Sequence, residues 1–488
     1  MSSLNIAQLK SKRLCHQCIG EPYLQNEVRI SGHRRKCSYC GQTHNSFEID
    51  DIASYIEKAF DQHFTRTSDQ PTYWQQTLLA DRESNYDWER DGEPVIYAIE
   101  DAANIPEQAA QDIQSILEDR FSDYDAHKMG EETEFSADSY YQRKEITDHI
   151  WQQEWINFEA SLKAEARFFN QTALTHLTSV FNEIDKIATA DGRPLIIDAG
   201  PNTKLPEIYR ARIFQSEEKL KEVLCRPDKH LGPPPPTLAR AGRMNAYGIS
   251  VFYGASNHDV AIAEVRPPVG SQVVVARFDI IRSLRLLDLT ALESVIEDGS
   301  IFDPRWATRL ERATFLRSLC QRITRPIMPD DEVLEYLPTQ AIADFLATEN
   351  KPTLDGIYFP SAQTAGSALN IALFQKSARV ESIPIPDETE INASLGWHTE
   401  DGWETDYSVT ELTPGKNISN EVDEDTHRSN YAQLLGRYCD SHDSDARDIT
   451  LRIDVNSIKV HTVHSVKFQY DSHDVSRHRV EKSRMLKY

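Results

Sequence analysis

Residues 241–255 read Ala-Gly-Arg-Met-Asn-Ala-Tyr-Gly-Ile-Ser-Val-Phe-Tyr-Gly-Ala, and Ala261-Ile-Ala-Glu-Val-Arg-Pro267 follows shortly after. The first stretch ends in a β-type run, Ile249 to Tyr253. The second places Glu264 in the apolar face of a short helix, where an unpaired carboxylate is costly unless something holds it. Upstream stands Tyr209-Arg210-Ala211-Arg212. Downstream, Asp355-Gly-Ile-Tyr-Phe-Pro-Ser361 sets a hydroxyl just after a strand ending in Pro360, where it can point into a cleft, and leads into Asn370-Ile-Ala-Leu-Phe374.

Outward from these motifs the texture is mixed. Gly232 and four prolines, Pro233 to Pro236, enforce an extended segment. Short β-type runs, Val273 to Phe278 and Leu284 to Leu289, are separated by helical stretches near 304–323 and 338–348. Regular βαβ alternation is missing, so an α+β domain is expected rather than a doubly wound sheet. Residues 386–428 hold twelve Asp or Glu against two Lys or Arg, which reads as a flexible acidic insertion. Alternation returns at Ile449, Leu451, Ile453 and Val455, then at Val463, Val466 and Phe468, as closing strands of the same sheet.

With Arg210, Gly-Arg-Met-Asn at 242–245, Phe-Tyr at 252–253, Ala-Glu-Val-Arg-Pro at 263–267 and Tyr-Phe-Pro-Ser at 358–361 in this order, the sequence resembles the RES family, named for an Arg, a Glu and a Ser. The resemblance covers roughly 205–375 and the strands at 449–470. It implies an ADP-ribosyltransferase-like α+β fold and the activity of toxins that deplete NAD⁺. It also implies a partner, since RES toxins are commonly blocked by a helix-turn-helix antitoxin; in-chain restraint by the extra N-terminal domains, in a phage-defence setting, is the other possibility. By this resemblance Arg210, Glu264 and Ser361 take the naming roles, and Arg243 and Tyr253 line the same pocket. Met244 departs from the family, where many members carry Trp.

The chemistry of these residue types agrees. Nicotinamide leaves ribose as a neutral molecule, so one carboxylate suffices where glycosidases usually need two. Glu264 would accept a hydrogen bond from the ribose 2′-OH and stabilise the cation-like transition state. Arg210 suits a pyrophosphate, which a guanidinium fork binds bidentately, and Arg243 would contact the same phosphates or the adenosine side. Tyr253 offers a flat face to nicotinamide, and Ser361 orients substrate rather than attacking it. Arg212, Asn245 and Arg266 are near-site candidates, and His258 reads as a solvated loop residue. The acceptor, whether water, phosphate or a macromolecule receiving ADP-ribose, is left open.

At the other end of the chain, Cys15-x-x-Cys18 and Cys37-x-x-Cys40 are separated by eighteen residues. Two such turns complete a tetrahedral Zn²⁺ shell, the pattern of a structural zinc ribbon, and Gly41 suits the knuckle turn. His16 and His33 are unnecessary as ligands, and Cys225, Cys320 and Cys439 are scattered thiols. From 47 to 195 the apolar spacing predicts helices alone: Ile49, Ile52, Ile56 and Phe60, then Ile113, Ile116 and Leu117, then Trp151, Trp155, Phe158, Leu162, Phe168 and Phe169, then Leu174, Leu177, Phe181, Ile184 and Ile187. This region resembles the HEPN-type domains fused to some RES proteins. Many of those are ribonucleases with an Arg-x(4–6)-His motif, which Arg143 and His149 match loosely; an RNA-cleaving or binding protein with an inert RES-like half is the rival reading.

The expected organisation is therefore multidomain α+β: a zinc ribbon at 1–46, a helical domain at 47–195, a RES-like domain at 196–380, an acidic insertion at 381–445, and closing strands with a tail at 446–488. The chain has 488 residues, 39% hydrophobic and 27% charged, with a net charge of −24. Such an acidic protein repels nucleic-acid backbones, which argues against a broad nucleic-acid surface, although Arg34, Arg35 and Lys36 form a local basic patch. No run of eighteen apolar residues occurs and the N-terminus lacks a signal-like core, so a cytoplasmic protein without a membrane span is expected. A homodimer is compatible with all of this.

Overall fold

The computed structural model describes residues 3–81, 83–364, 368–400, 402–414, 445–467 and 470–479. The chain divides into two compact units, Met1–Ile196 with Asp288–Ile323, and Ile197–Leu287 with Thr324–Tyr488. The helix expected within 196–380 near residue 304 is Trp306–Thr324, and all but its last residue is grouped with the first unit.

The first unit opens with β1 (Arg13–Cys15), β2 (His33–Lys36) and β3 (Thr43–Glu48), paired antiparallel in the order β1-β3-β2. The helix Ile49–His63 follows. Its Ile49, Ile52, Ile56 and Phe60 recur at spacings of three and four and are all buried, as an amphipathic helix requires. Helices Val95–Ala103 and Glu107–Arg120 complete this core with Ile99, Ile113 and Leu117. The expectation of helix alone over 47–195 does not hold: β4 (Phe64–Arg66), β5 (Glu93–Pro94) and β6 (Tyr140–Arg143) form an antiparallel sheet ordered β4-β6-β5. Strands this short cannot display a period of two.

A second cluster joins the helices His149–Ala164, Gln171–Phe181 and Trp306–Thr324. The Trp151 and Trp155 rings each lie 5.8 Å from that of Phe315, and Phe158 lies 5.4 Å from the buried His176, tilted against it. The apolar stripe stops earlier than expected, because the first of these helices ends at Ala164 and Phe168 and Phe169 stand 83% and 97% exposed.

The second unit contains β7 (Ile196–Ala199), β8 (Glu207–Phe214), β9 (Phe252–Ala255), β10 (Gln272–Ile280), β11 (Leu284–Asp288), β12 (Gly356–Pro360), β13 (Leu369–Leu373), β14 (Glu390–Thr399), β15 (Gly402–Leu412) and β16 (Leu451–Thr462). Eight of them build one sheet in the order β16-β10-β8-β9-β13-β12-β11-β7. Alternation along β10 serves both faces. Val274, Ala276 and Phe278 join Ile208, Phe252 and Ile371 in the main core, while Val273 and Val275 meet Ala211, Ala255 and the helix residues Val260 and Ala261. Phe252 and Phe278 meet edge to face at 4.9 Å. The β-type run expected at 249–253 begins as a strand only at Phe252.

Two expectations are corrected near the C-terminus. The stretch read as a flexible acidic insertion contains the antiparallel hairpin β14–β15, whose Leu395 is buried and whose Ala393 and Tyr407 pack against the main core. The closing region is the single strand β16, paired with β10; Val463 and Val466 lie beyond its end. Residues 415–444 with Cys439, Phe468 and the last residues of the tail lie outside the described residues. Among the described residues, no helix is long and apolar enough to cross a membrane.

Candidate active site

The pairing of β8 with β9 is much shorter than that of either strand with its other neighbour. β8 pairs with β10 from Glu207 to Phe214, and β9 pairs with β13 from Phe252 to Ala255. Between β8 and β9 only Tyr209 and Ala255 are paired. A cavity of about 430 Å³ is lined by residues of both strands, Tyr209 to Arg212 and Tyr253 to Ala255.

Arg210 lines this cavity. Its guanidinium sits 4.6 Å from the Phe252 ring centroid, and its Nη1 is buried without a hydrogen-bond partner. Burial, with Arg212 beside it, lowers the guanidinium well below its ordinary pKa, yet it stays cationic at neutral pH. A buried cation held against a ring but lacking a carboxylate is destabilising for the empty protein. It is suited to an anion that arrives from outside.

Glu264 is the last residue of the helix His258–Glu264, whose Asn257 cap accepts a hydrogen bond from the Val260 N–H. The carboxylate is not enclosed by the helix's apolar face as expected; it is exposed and lines the cavity. Two donors fix one of its oxygens. Ser361 Oγ donates to Oε1 at 2.5 Å and Asn370 Nδ2 donates to the same atom at 2.8 Å. Among the described residues nothing bonds Oε2. Ser361 is itself held, accepting the Gln363 N–H at 3.1 Å and donating its own N–H to Ala368. Its hydroxyl therefore aims a carboxylate, and among the described residues no histidine is bonded to it to activate it as a nucleophile.

Arg210 and Glu264 line this one cavity, and Ser361, which is not among its lining residues, joins them through its bond to Glu264. Asn370, to which the sequence pattern lent no role, belongs with them: it is buried on β13, and its Oδ1 has no partner. The available signal was an amide interrupting an otherwise apolar strand.

Tyr253 and Arg243 line the same cavity, and both make further contacts behind it. The Tyr253 hydroxyl donates to Asn245 Oδ1 and accepts the Met244 N–H, both at 2.9 Å. Asn245 Nδ2 donates to the carbonyls of Arg240, Ala246 and Ile249. Tyr253 and Asn245 therefore brace the turn that carries Arg243. That arginine donates to the Arg325 carbonyl at 2.8 Å and lies 5.1 Å from the ring of Tyr336, another lining residue. Of the other near-site candidates, Arg212 and Arg266 line the cavity. Arg266 has a φ of +47°, a backbone state uncommon for a side chain of its size. His258 lies away from the cavity, beside Asp259 and His461.

In the first unit the four expected thiols converge. The Sγ atoms of Cys15, Cys18, Cys37 and Cys40 all lie within 4.8 Å of one another, with neighbours at 3.6 to 3.9 Å. A sulfur tetrahedron around zinc at about 2.3 Å has edges of roughly 3.8 Å, so the set fits a metal ion such as zinc. Gly41 follows at φ +73°, the left-handed turn a glycine adopts without strain. Arg143 and His149 are not brought together by any contact: Arg143 packs over Phe64 at the end of β6, and His149 starts a helix, both exposed.

Comparison with known families matches residues 209–395 to the family model described as the RES domain; β16 lies outside the matched span. No curated protein matches the chain.

Proposed function

Because the cleft lies within a RES domain, we propose that the chain cleaves NAD⁺ at the bond between nicotinamide and ribose. The observation that carries this reading is one cavity holding an Arg210 guanidinium whose buried Nη1 has no hydrogen-bond partner, and a carboxylate steadied by two donors. Arg210 takes the pyrophosphate. Glu264 receives the ribose 2′-OH on its free Oε2, so its negative charge faces the positive charge that grows on the ribose. The C1′–N bond breaks with its electron pair passing to nicotinamide, which leaves neutral. Water then bonds to C1′ and releases one proton, giving ADP-ribose. Arg243 and Tyr336 form the wall nearest the braced turn.

Purified full-length chain incubated with NAD⁺ should release nicotinamide, and Glu264→Gln should abolish most of that release without unfolding the protein. Full activity in Glu264→Gln refutes the proposal. Label from NAD⁺ appearing on a macromolecule instead of in free ADP-ribose would change the acceptor from water. Such an activity would poison its own cell, so we also expect restraint, by a partner covering the cleft or by another part of the chain. We assign zinc to the four thiolates in a structural role, since four sulfur ligands leave no open position for substrate.

A further inference from the structure

A second cavity, of about 650 Å³, shares Arg210, Arg212 and Tyr253 with the first and extends from them toward the proline segment. Pro234 and Pro235 form one wall, and their fixed φ makes that wall stiff. Two bonds hold the segment in place: Arg212 Nη2 donates to the Gly232 carbonyl at 2.9 Å, and Ser250 Oγ donates to the Pro234 carbonyl at 2.6 Å. The remaining lining combines apolar surface from Leu238, Ala239, Ile249 and Val251 with the polar side chains of Lys229, His230 and Arg240.

The charge pattern here opposes that of the chain. Net charge is −24, yet no Asp or Glu occurs among the described residues lining this cavity, while Arg210, Arg212, Lys229 and Arg240 do. The nearest acid in sequence, Asp228, is already engaged by Arg226 and the Ile383 N–H. A pyrophosphate at Arg210 accounts for the shared wall. It does not account for Lys229, His230 and Arg240, which share the lining with apolar surface of a kind that suits a purine.

We propose that this cavity takes the adenosine half of the dinucleotide and that Arg240, His230 and Lys229 recognise a phosphate monoester on its ribose, making a 2′-phosphorylated nicotinamide dinucleotide (NADP⁺) the preferred substrate. The inference rests on the cleavage reading of the first cavity. A monoester dianion gains from charge-assisted bonds where the unphosphorylated ribose offers only a hydroxyl. The same chemistry could be supplied by free inorganic phosphate acting as acceptor, so the test separates the two sources.

With the full chain, nicotinamide release from NADP⁺ and NAD⁺ is compared as kcat/KM, and binding of adenosine 2′,5′-bisphosphate and 5′-AMP is measured by calorimetry. The expected preference for the 2′-phosphorylated form is about tenfold or more in both assays, the scale of one or two charge-assisted bonds. Arg240→Ala and His230→Ala should each reduce that ratio several-fold. Equal kcat/KM for the two dinucleotides, or a ratio indifferent to Arg240→Ala, overturns the proposal. Acceleration by inorganic phosphate that Arg240→Ala removes, with no preference between dinucleotides, also overturns it in favour of the acceptor. If neither dinucleotide is cleaved, the catalytic reading fails by itself, and the bisphosphate binding ratio still decides whether the cavity recognises the extra phosphate.

Discussion

Ser361 Oγ donates to Glu264 Oε1 across ninety-seven residues of chain. The hydroxyl and Asn370 together leave the carboxylate one committed oxygen and one available oxygen. Glu264→Gln keeps the shape and removes the charge. Turnover should fall by about 10²–10³, as when a transition-state electrostatic contact is lost, with little change in melting temperature because the side chain is exposed. Nicotinamide release and thermal melting measure the two quantities.

Ser361→Ala removes a donor but leaves Asn370 in place. A loss of about tenfold in kcat is expected, smaller than for Glu264→Gln, and Ser361→Thr should restore part of it. A fall as deep as that of Glu264→Gln would mean that the hydroxyl reacts rather than orients.

Arg210→Met separates binding from folding. The guanidinium is buried and unpartnered at Nη1, so an apolar side chain of similar length should leave stability unchanged or raise it by about 1 kcal/mol. Dinucleotide binding should drop by at least tenfold. Destabilisation by several kcal/mol, read by chemical denaturation, would mean that the cation serves the fold instead.

Tyr253→Phe deletes a hydroxyl that both donates to Asn245 and accepts from Met244. Two buried partners are left unsatisfied, so a loss of about 1–3 kcal/mol is expected. Substrate KM should rise as Arg243 loses its braced turn. An unaltered KM would show that the turn holds without the tyrosine.

One zinc per chain is expected by elemental analysis. Cys37→Ser should lower both the metal content and the melting temperature. Retained zinc in a Cys15→Ala/Cys37→Ala double variant would remove the site assignment.

Legible in the sequence were the ordered motifs that carry Arg210, Glu264 and Ser361, of which the first two line one cavity and the third bonds Glu264, and the two Cys-x-x-Cys pairs, whose thiols lie together. What escaped has physical reasons. β4, β5 and β6 are two to four residues long, at or below the shortest run over which alternation can be read. The acidic surface of β14 and β15 masked their pairing, since a hairpin exposed along most of its length has little apolar alternation to read. The partners of Trp306–Thr324 are invisible in one dimension. Its Phe315 packs on Trp151 and Trp155, so a fragment cut near 195 would expose that ring. The partners of the Tyr253 hydroxyl, eight and nine residues back, leave no pattern in the sequence.

Phe252 answers to two demands at once. One edge of the ring interlocks with Phe278, and the guanidinium rests above it. Leucine at this position would preserve much of the volume but remove the electron-rich surface beneath Arg210. Selection on the interior of this sheet is therefore also selection on ligand affinity, and a lineage cannot repack the one while leaving the other untouched.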